Sequence, residues 1–365
     1  MPEPELPSLA ENDAAEAGAN ETRAKESGAD EAGAEPVVAP PALAEPVPAA
    51  PVPAAPVLEL RGLVKRYGSV EALSGLDLTV RRGEVYGFLG RNGAGKSTTI
   101  RSIMGITKPT AGTIELFGQT ASGPAPRQRI GYVAQEQNFY GWMTPTSIGR
   151  FVRGFYPRWD DATYRELIHD LDLPTNRKVR TFSGGMKVKL ALALALAHHP
   201  ELLVLDEPTA GLDPVARHEF LEMVREQAEG SGRTTFFSTH LIDEIELAAH
   251  RVGIVDGGRT LYEGSVRELA ARLRRLRCRN LADGAGLVLA APLPALLNDP
   301  QLGWRVIRDQ VRDGERHVIV ETGGRPASAG ELDLGDWVLE EMPLEQSFIE
   351  MVRKPLKRSG ASSQR

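Results

Sequence analysis

The 365-residue sequence is 41% hydrophobic and 25% charged, the ordinary composition of a globular protein with one large domain or two to three smaller ones. Its single cysteine, Cys278, excludes a disulfide framework or a thiolate metal site built within this chain. The net charge of −6 argues against a strong nucleic-acid binder, and no apolar run approaches the ~18 residues that a bilayer-spanning helix needs, so we expect a soluble protein.

Residues 1–57 form an acidic tail that consists mostly of alanine, proline, glutamate and glycine. The tail contains 11 acidic and 2 basic residues, a net charge of −9, and no aromatic residue. A segment of this composition cannot bury enough apolar surface to offset the entropy that is lost when a chain becomes ordered. We therefore predict a disordered, solvated tail whose alanine–proline repeats near residue 50 favour an extended polyproline spacer.

A glycine-rich loop follows the first predicted strands. Residues 76–80 alternate apolar and polar side chains, which is typical of a half-buried strand, and the apolar run 85–89 predicts a buried one. The pattern G-x-x-x-x-G-K-S then opens a helix, which is the context that a phosphate-binding loop requires. Lys96 is expected to reach the β- and γ-phosphates of a nucleotide, and the Ser97 hydroxyl to bind Mg²⁺. The predicted phosphate-binding residues are Gly90, Arg91, Asn92, Gly93, Ala94, Gly95, Lys96, Ser97 and Thr98.

Two further predicted strands end in residues suited to nucleotide chemistry. The apolar run 202–205 leads into Asp206 and Glu207, and the run 234–239 leads into His240. In a phosphate-loop ATPase the first carboxylate holds Mg²⁺, usually through water, and the second can polarise the attacking water. We therefore predict Asp206 at the metal site and Glu207 and His240 as catalytic residues beside the γ-phosphate.

Together these motifs resemble those of the nucleotide-binding subunit of ABC transporters, over residues 58–270. The resemblance implies an α/β phosphate-loop ATPase domain with a parallel-sheet core, an antiparallel β subdomain and a helical subdomain, and it implies ATP and Mg²⁺ as cofactors. By the same resemblance, Tyr67 would stack on adenine, and Gln135 of the glutamine loop would join Ser97 and Asp206 at the metal. The signature would be formed by Ser183, Gly184, Gly185 and Met186. Asp213 matches the D-loop, and His240 matches the switch histidine.

The same resemblance implies a head-to-tail dimer, either a homodimer or a heterodimer with another ABC subunit. Each ATP would lie on the phosphate loop of one subunit and be capped by the signature of the other, where Gly184 and Gly185 present backbone amides at a helix start. Met186 departs from the family, which usually has glutamine at this position. Because a thioether cannot donate the hydrogen bonds of an amide, we expect capping to rest on Ser183 and the two glycines.

Two classes of ABC protein compete as interpretations: the motor of a membrane transporter, and a soluble ATPase that acts on ribosomes or nucleic acid. There is one phosphate loop, and Lys96 and Ser183 lie only 87 positions apart, which leaves no room for an inserted zinc module or coiled coil. We therefore predict a transporter motor in the cytoplasm, at the inner face of the membrane, working with a separate permease and without nucleic acid. The segment 142–160 resembles an exporter subgroup found in acetoin-utilisation and antibiotic-resistance-like systems; the substrate stays open.

The segment 138–160 contains seven aromatic residues. Ile148, Phe151, Val152 and Phe155 recur at helical spacing, so we predict that Phe151 and Phe155 are core, and that Pro157 ends their helix. A second helix should bury Tyr164, Leu167, Ile168 and Leu171. Phe139, Tyr140 and Trp142 precede the first helix without periodicity, and we predict that they dock the permease; Tyr156 and Trp159 stay undecided.

Residues 271–365 are predicted to form a small α+β accessory domain without a catalytic constellation. The basic stretch 266–279 has the look of a helix with a solvated face. Residues 316–322 and 336–342 predict strands, 344–354 a closing helix, and 291–299 a further short helix.

Overall fold

A computed structural model describes residues 55–278, 293, 297, 303–312, 315–323 and 337–353. The strands of this part are, in chain order, β1 (Pro56–Tyr67), β2 (Val70–Arg81), β3 (Val85–Gly90), β4 (Ala111–Leu116), β5 (Gln119–Thr120), β6 (Ile130–Val133), β7 (Leu202–Asp206), β8 (Thr234–Thr239), β9 (Arg251–Asp256), β10 (Arg259–Ser265), β11 (Leu273–Cys278), β12 (Arg305–Arg312), β13 (Glu315–Glu321) and β14 (Trp337–Glu341). The helices are α1 (Lys96–Ile103), α2 (Pro145–Val152), α3 (Asp161–Asp170), α4 (Gly184–Leu196), α5 (Pro214–Ser231), α6 (Ile242–Ala248), α7 (Val266–Arg272) and α8 (Leu344–Val352).

The central sheet has six strands in the order β10-β9-β3-β8-β7-β6. Strands β6, β7, β8, β3 and β9 pair in parallel, and only β10 pairs antiparallel to β9. Every residue of β3, β7 and β8 is buried, because helices cover one face of the central sheet, and α1 with a second sheet covers the other. The predicted strands at 85–89, 202–205 and 234–239 are thus confirmed, and the carboxyl ends of three neighbouring strands meet along one edge.

An antiparallel sheet of four strands, in the order β2-β1-β4-β5, forms the second layer. Leu76, Leu78 and Val80 of β2 are buried, whereas Asp77 between them is exposed, which confirms the predicted alternation. The inward side chains of this sheet share one core with Tyr86 and Phe88 of the central sheet. The parallel core and the antiparallel subdomain expected from the family resemblance are both present.

The helical subdomain consists of α2, α3 and α4 around a core of its own. Thr144 caps α2 by accepting a hydrogen bond from the Ser147 amide, and the Ser147 hydroxyl accepts one from the Thr144 amide, so the first turn is closed from both sides. Tyr164, Ile168 and Leu171 are buried and Leu167 packs against them, as predicted.

The prediction that Phe151 and Phe155 are core is wrong. Both rings are exposed, at 56% and 61%, and they contact each other edge-on with centroids 5.3 Å apart. The buried face of α2 is formed by Pro145, Ile148 and Gly149 instead. A Cβ at Gly149 would lie 2.3 Å from the Tyr164 ring, so α2 approaches α3 most closely on the glycine side and turns Phe151 outward.

The C-terminal part corrects a second expectation, because the basic stretch 266–279 is not one helix. Helix α7 starts with a capping box between Ser265 and Glu268 and ends at Arg272, after which the chain becomes strand β11. In the sheet β12-β13-β11-β14, Arg277 of β11 pairs with Glu340 of β14 at 2.6 Å and with Glu315 of β13 at 3.3 Å. These cross-strand ion pairs explain why a basic segment is stable in a central strand.

The remaining C-terminal predictions agree with the structure where it describes them. Strands β13 and β14 and helix α8 lie at the expected positions, β12 was not predicted, and most of 291–299 and residues 1–54 lie outside the described residues. Helix α8 packs through Leu344 and Phe348 on the same core as Ile245 and Leu269, so the chain returns to the central sheet. No helix in the described ranges is long and apolar enough to cross a membrane.

Candidate functional site

The loop between β3 and α1 has the backbone that a phosphate cradle requires. Gly93 and Gly95 have φ angles of +83° and +109°, in the region that L side chains rarely adopt. A Cβ on Gly95 would lie 2.8 Å from the Ala72 carbonyl oxygen, so only glycine fits there. Arg91, Asn92 and Gly93 are exposed, Ala94 is buried, and Ser97 and Thr98 on α1 are half-buried.

Lys96, the first residue of α1, is buried with 4% of its surface exposed. Its Nζ donates to the Gly90 carbonyl at 2.8 Å and to the Arg91 carbonyl at 3.3 Å, and it lies 3.0 Å from Oε1 of Glu207. The ammonium group is therefore held inside the loop, with carbonyl oxygens and one carboxylate as its partners. These are the contacts that phosphate oxygens would replace.

Asp206, at the end of β7, is the predicted metal-site carboxylate. Its Oδ1 accepts hydrogen bonds from the Ser97 hydroxyl at 3.2 Å and from the Ser238 hydroxyl at 2.8 Å. Burial raises the pKa of Asp206 above its ordinary value, and the two hydroxyl groups oppose that shift. A buried carboxylate beside the Ser97 hydroxyl is an oxygen donor set of the kind that Mg²⁺ prefers.

Glu207 is the point at which the predicted residues converge. Oε1 faces Lys96, whereas Oε2 lies 3.5 Å from Nε2 of Gln135 and 3.4 Å from Nδ1 of His240. The four side chains come from separate segments: α1, the loop after β6, the end of β7 and the end of β8. The structure thus brings together the two predicted catalytic residues, Lys96 of the predicted phosphate loop and Gln135.

Ser238 belongs to this site, and the sequence reasoning missed it. Asp206 and Ser238 are partners in the β7–β8 register. The Ser238 hydroxyl donates to Asp206 and accepts the Glu207 amide at 3.0 Å, which supports Glu207 in its left-handed conformation, φ +44°. No distinctive signal in the sequence marks Ser238, because β8 also contains the hydroxyl residues Thr234, Thr235 and Thr239.

The signature segment lies elsewhere on the subunit. Ser183 caps α4 by accepting a hydrogen bond from the Met186 amide at 3.2 Å, and Gly184 and Gly185 form the first turn. The Met186 side chain packs against the helical core. The four residues line a surface depression with Gly211, Leu212 and Asp213. All the residues that line this depression fall between 171 and 216, so none of them belongs to the phosphate loop.

Asp213 and Tyr67 complete the predicted nucleotide residues. Asp213 caps α5, because its carboxylate accepts the amides of Val215 and Ala216 at 3.1 and 3.0 Å. Tyr67 ends β1 with its ring 47% exposed and with the Lys65 ammonium 4.9 Å from the ring centroid. Tyr67 is therefore a partly exposed aromatic residue with a cation over its ring, and Asp213 fixes the start of α5.

The three aromatic residues predicted to dock a permease divide into two kinds. Tyr140 and Trp142 are 66% and 68% exposed, and their rings lie 6.1 Å apart. Phe139 is half-buried and packs against the core of the helical subdomain. Of the two undecided aromatics, Tyr156 stacks on His198 at 4.0 Å, and Trp159 packs on Tyr164 at 5.1 Å.

Comparisons with known proteins show which family this chain is similar to. A family model described as ABC transporter matches residues 73–210. The chain is similar to the bacitracin transport ATP-binding protein BcrA of Bacillus licheniformis, with 38% identity over 232 residues that cover 62% of this chain and 76% of the relative. It is similar to the Nod factor export ATP-binding protein I of Ralstonia nicotianae, with 39% identity over 221 residues, 58% of this chain and 68% of the relative. A solved structure of the ATP binding subunit of an ABC transporter aligns with a TM-score of 0.54 and 31% identity over 58% of this chain and 91% of that chain.

Proposed function

Because this chain belongs to the ABC transporter family as an ATP-binding subunit, we propose that it hydrolyses ATP to drive export through a separate membrane permease. The observation that carries the proposal is the convergence of Lys96, Gln135 and His240 on Glu207, beside Asp206 with its two hydroxyl partners. A carboxylate held next to a phosphate loop by side chains from three other segments is suited to directing in-line attack by water.

Each side chain has a distinct task in the proposed hydrolysis. Lys96 leaves Glu207 and the loop carbonyls and binds the β- and γ-phosphates. Glu207, released from Lys96, accepts a hydrogen bond from the attacking water and orients it. His240 donates a hydrogen bond toward the γ-phosphate. Gln135, in the loop that leads into the helical subdomain, couples the bound γ-phosphate to that subdomain. Ser97 and Asp206, joined by Gln135, would hold Mg²⁺, which would neutralise charge on the transferring group.

The active unit in this proposal is a two-fold dimer, with a second copy or with a related ABC subunit. Within one subunit the residues that line the signature depression do not include the phosphate loop. A partner's signature would supply the Ser183 hydroxyl and the amides of Gly184 and Gly185 to an ATP on this subunit's loop. Adenine would stack on Tyr67, and Asp213 would hold the D-loop at the interface through its cap on α5.

Docking to the permease is assigned to the exposed rings of Tyr140 and Trp142, with Phe139 anchoring their loop. Large aromatic side chains that are exposed in the free protein and border a packed core are typical anchors of interfaces. This contact would place the subunit at the cytoplasmic face of the membrane. Export is favoured because one relative bears export in its name; a soluble ATPase that acts on ribosomes or nucleic acid has no such support.

The Glu207→Gln variant tests the proposed chemistry. The amide keeps the shape of the side chain but is a far weaker base, so ATP binding should persist while turnover falls by a factor of about 100 or more. An ATP-bound dimer should then accumulate, which size-exclusion chromatography with labelled ATP detects. As a matched control, Glu166→Gln alters an exposed carboxylate on α3 and should leave hydrolysis unchanged. Steady-state hydrolysis by Glu207→Gln at the wild-type rate would overturn the assignment.

A further inference from the structure

Glu244, in the first turn of α6, is a buried carboxylate outside the nucleotide motifs. Its side chain is 1% exposed. The Thr209 hydroxyl donates to its Oε1 at 2.5 Å, and Nε of Arg217 on α5 lies 3.6 Å from the same oxygen. Among the described residues, Oε2 of Glu244 and Nε of Arg217 have no hydrogen-bond partner.

Stability alone does not account for such a group. Burying a carboxylate is unfavourable unless it is paired and hydrogen-bonded, and replacing a buried ion pair with apolar residues of similar volume is often neutral or stabilising. Arg217 is too far from Glu244 for a hydrogen bond, so it offsets charge without orienting the carboxylate. Within the described part of the chain, the hydrogen bond from Thr209 is the one directional contact of the Glu244 side chain.

That bond joins the two segments that carry the proposed catalytic pair. Thr209 lies two residues after Glu207, in a turn where the Ala210 amide donates to the Glu207 carbonyl and the Leu212 amide to the Thr209 carbonyl, each at 3.1 Å. Glu244 lies four residues after His240, on the helix that this segment opens. Glu207 and His240 themselves are only 3.4 Å apart, at strand ends where small rotations change the distance.

We propose that Glu244 is a positioning residue for ATP hydrolysis: through the Thr209 hydroxyl it sets the relative placement of Glu207 and His240. The proposal rests on the function assigned above to those two residues. A fixed tie between the two strand ends holds the base and the γ-phosphate contact in one geometry, which is the kind of preorganisation that raises turnover more than nucleotide affinity. The same tie restrains the D-loop, since Thr209 also anchors Leu212.

Two substitutions at Thr209 separate the hydroxyl from its packing. Thr209→Val keeps the shape and removes the donor, whereas Thr209→Ser keeps the donor and removes a methyl group. We expect Thr209→Val to lower kcat about tenfold, because Glu207 and His240 are no longer held in one relative placement, with KM for ATP within about twofold. Thr209→Ser should keep kcat within about twofold of the wild type. Melting temperatures measured in parallel report any loss of folding.

A second substitution tests whether the effect passes through Glu244. Glu244→Leu removes the acceptor with an apolar side chain of similar size, and the double variant Thr209→Val/Glu244→Leu should have the same kcat as either single variant, because both break one contact. Additive losses, equal losses in Thr209→Val and Thr209→Ser, or a rise in KM without a fall in kcat would each overturn the proposal. If Glu244→Leu does not fold, the two Thr209 variants decide the outcome.

The outcomes also separate this inference from the proposed function. Wild-type protein that hydrolyses ATP, together with an inactive Glu207→Gln variant and a fully active Thr209→Val variant, would refute only the role of Glu244. Wild-type activity that survives in Glu207→Gln would refute the assigned chemistry, and the positioning role with it.

Discussion

The site around Glu207 and the exposed aromatic rings of the helical subdomain are organised in opposite ways. Glu207 touches three side chains from three other segments, and Lys96 beside it is almost fully buried. Tyr140 and Trp142 are two-thirds exposed, and the ring contact recorded for each is with the other. The predicted side chains around Glu207 are therefore brought together within one chain, whereas the rings of Tyr140 and Trp142 are presented to solvent.

This contrast has an electrostatic origin. Charged groups at the ends of buried strands must be paired within the chain, because an uncompensated buried charge is costly. Exposed aromatic rings carry a much smaller penalty, since isolated apolar side chains are common on protein surfaces. We therefore expect that the Glu207 site cannot lose a member without consequence, whereas the exposed aromatic residues tolerate substitution in the isolated subunit.

The largest effect should come from removing the charge at the centre of the site. Lys96→Ala deletes the ammonium that we assign to the β- and γ-phosphates, so ATP affinity should fall about 100-fold or more. Isothermal titration calorimetry with ATP and Mg²⁺ measures the change. Lys108→Ala, which removes an exposed lysine from the segment after α1, is the control and should bind as the wild type does. Unchanged affinity in Lys96→Ala would argue against the phosphate-loop assignment.

The sequence was sufficient for the Glu207 site because its residues are tied to local backbone patterns. The glycines around Lys96 require φ angles that other residues avoid, and the fully apolar run before Asp206 fixes where a parallel strand ends. Ser238 escaped because its role depends on the β7–β8 register, which pairs it with Asp206 across the sheet. Register between strands distant in sequence is not encoded in either strand alone.

The two errors have the same kind of cause. The spacing of Phe151 and Phe155 is compatible with a buried helix face, but the close approach of Gly149 to Tyr164 decides which face of α2 is buried. Leu273 and Leu276 are spaced as on a helix, yet pairing with β13 and β14 makes the segment a strand. In both cases a contact with a distant segment overrides a short apolar pattern, which periodicity cannot resolve.

A moderate effect is expected at the aromatic surface, and it should appear only when a permease is present. Trp142→Ala removes a large exposed ring, so the apparent affinity of the subunit for the reconstituted permease should weaken by about 2 kcal/mol. This affinity is measured from the stimulation of ATP hydrolysis by the permease, while hydrolysis by the isolated subunit should stay unchanged. Ile106→Ala, which shortens another exposed apolar side chain, is the control and should leave stimulation intact.

Two outcomes would contradict the assignment of Trp142 to permease docking. A Trp142→Ala protein that does not fold would show that the ring is part of the core and not a docking residue. Stimulation of the wild-type enzyme by ribosomes, with none by the permease, would favour the soluble ATPase over the transporter motor.

The smallest effect should distinguish the two sides of α2. Phe151→Ala removes an exposed ring, so the free energy of unfolding should change by no more than about 0.5 kcal/mol, since surface substitutions rarely exceed that value. Ile148, three residues earlier, is 4% exposed, and Ile148→Ala should cost about 2–5 kcal/mol because it leaves a cavity between α2 and α3. Urea denaturation of both variants gives the two values. If Phe151→Ala lowers the free energy of unfolding as much as Ile148→Ala does, Phe151 is buried, as the spacing of the aromatics suggested. The distinction between the core of the helical subdomain and its exposed aromatic residues would then be lost.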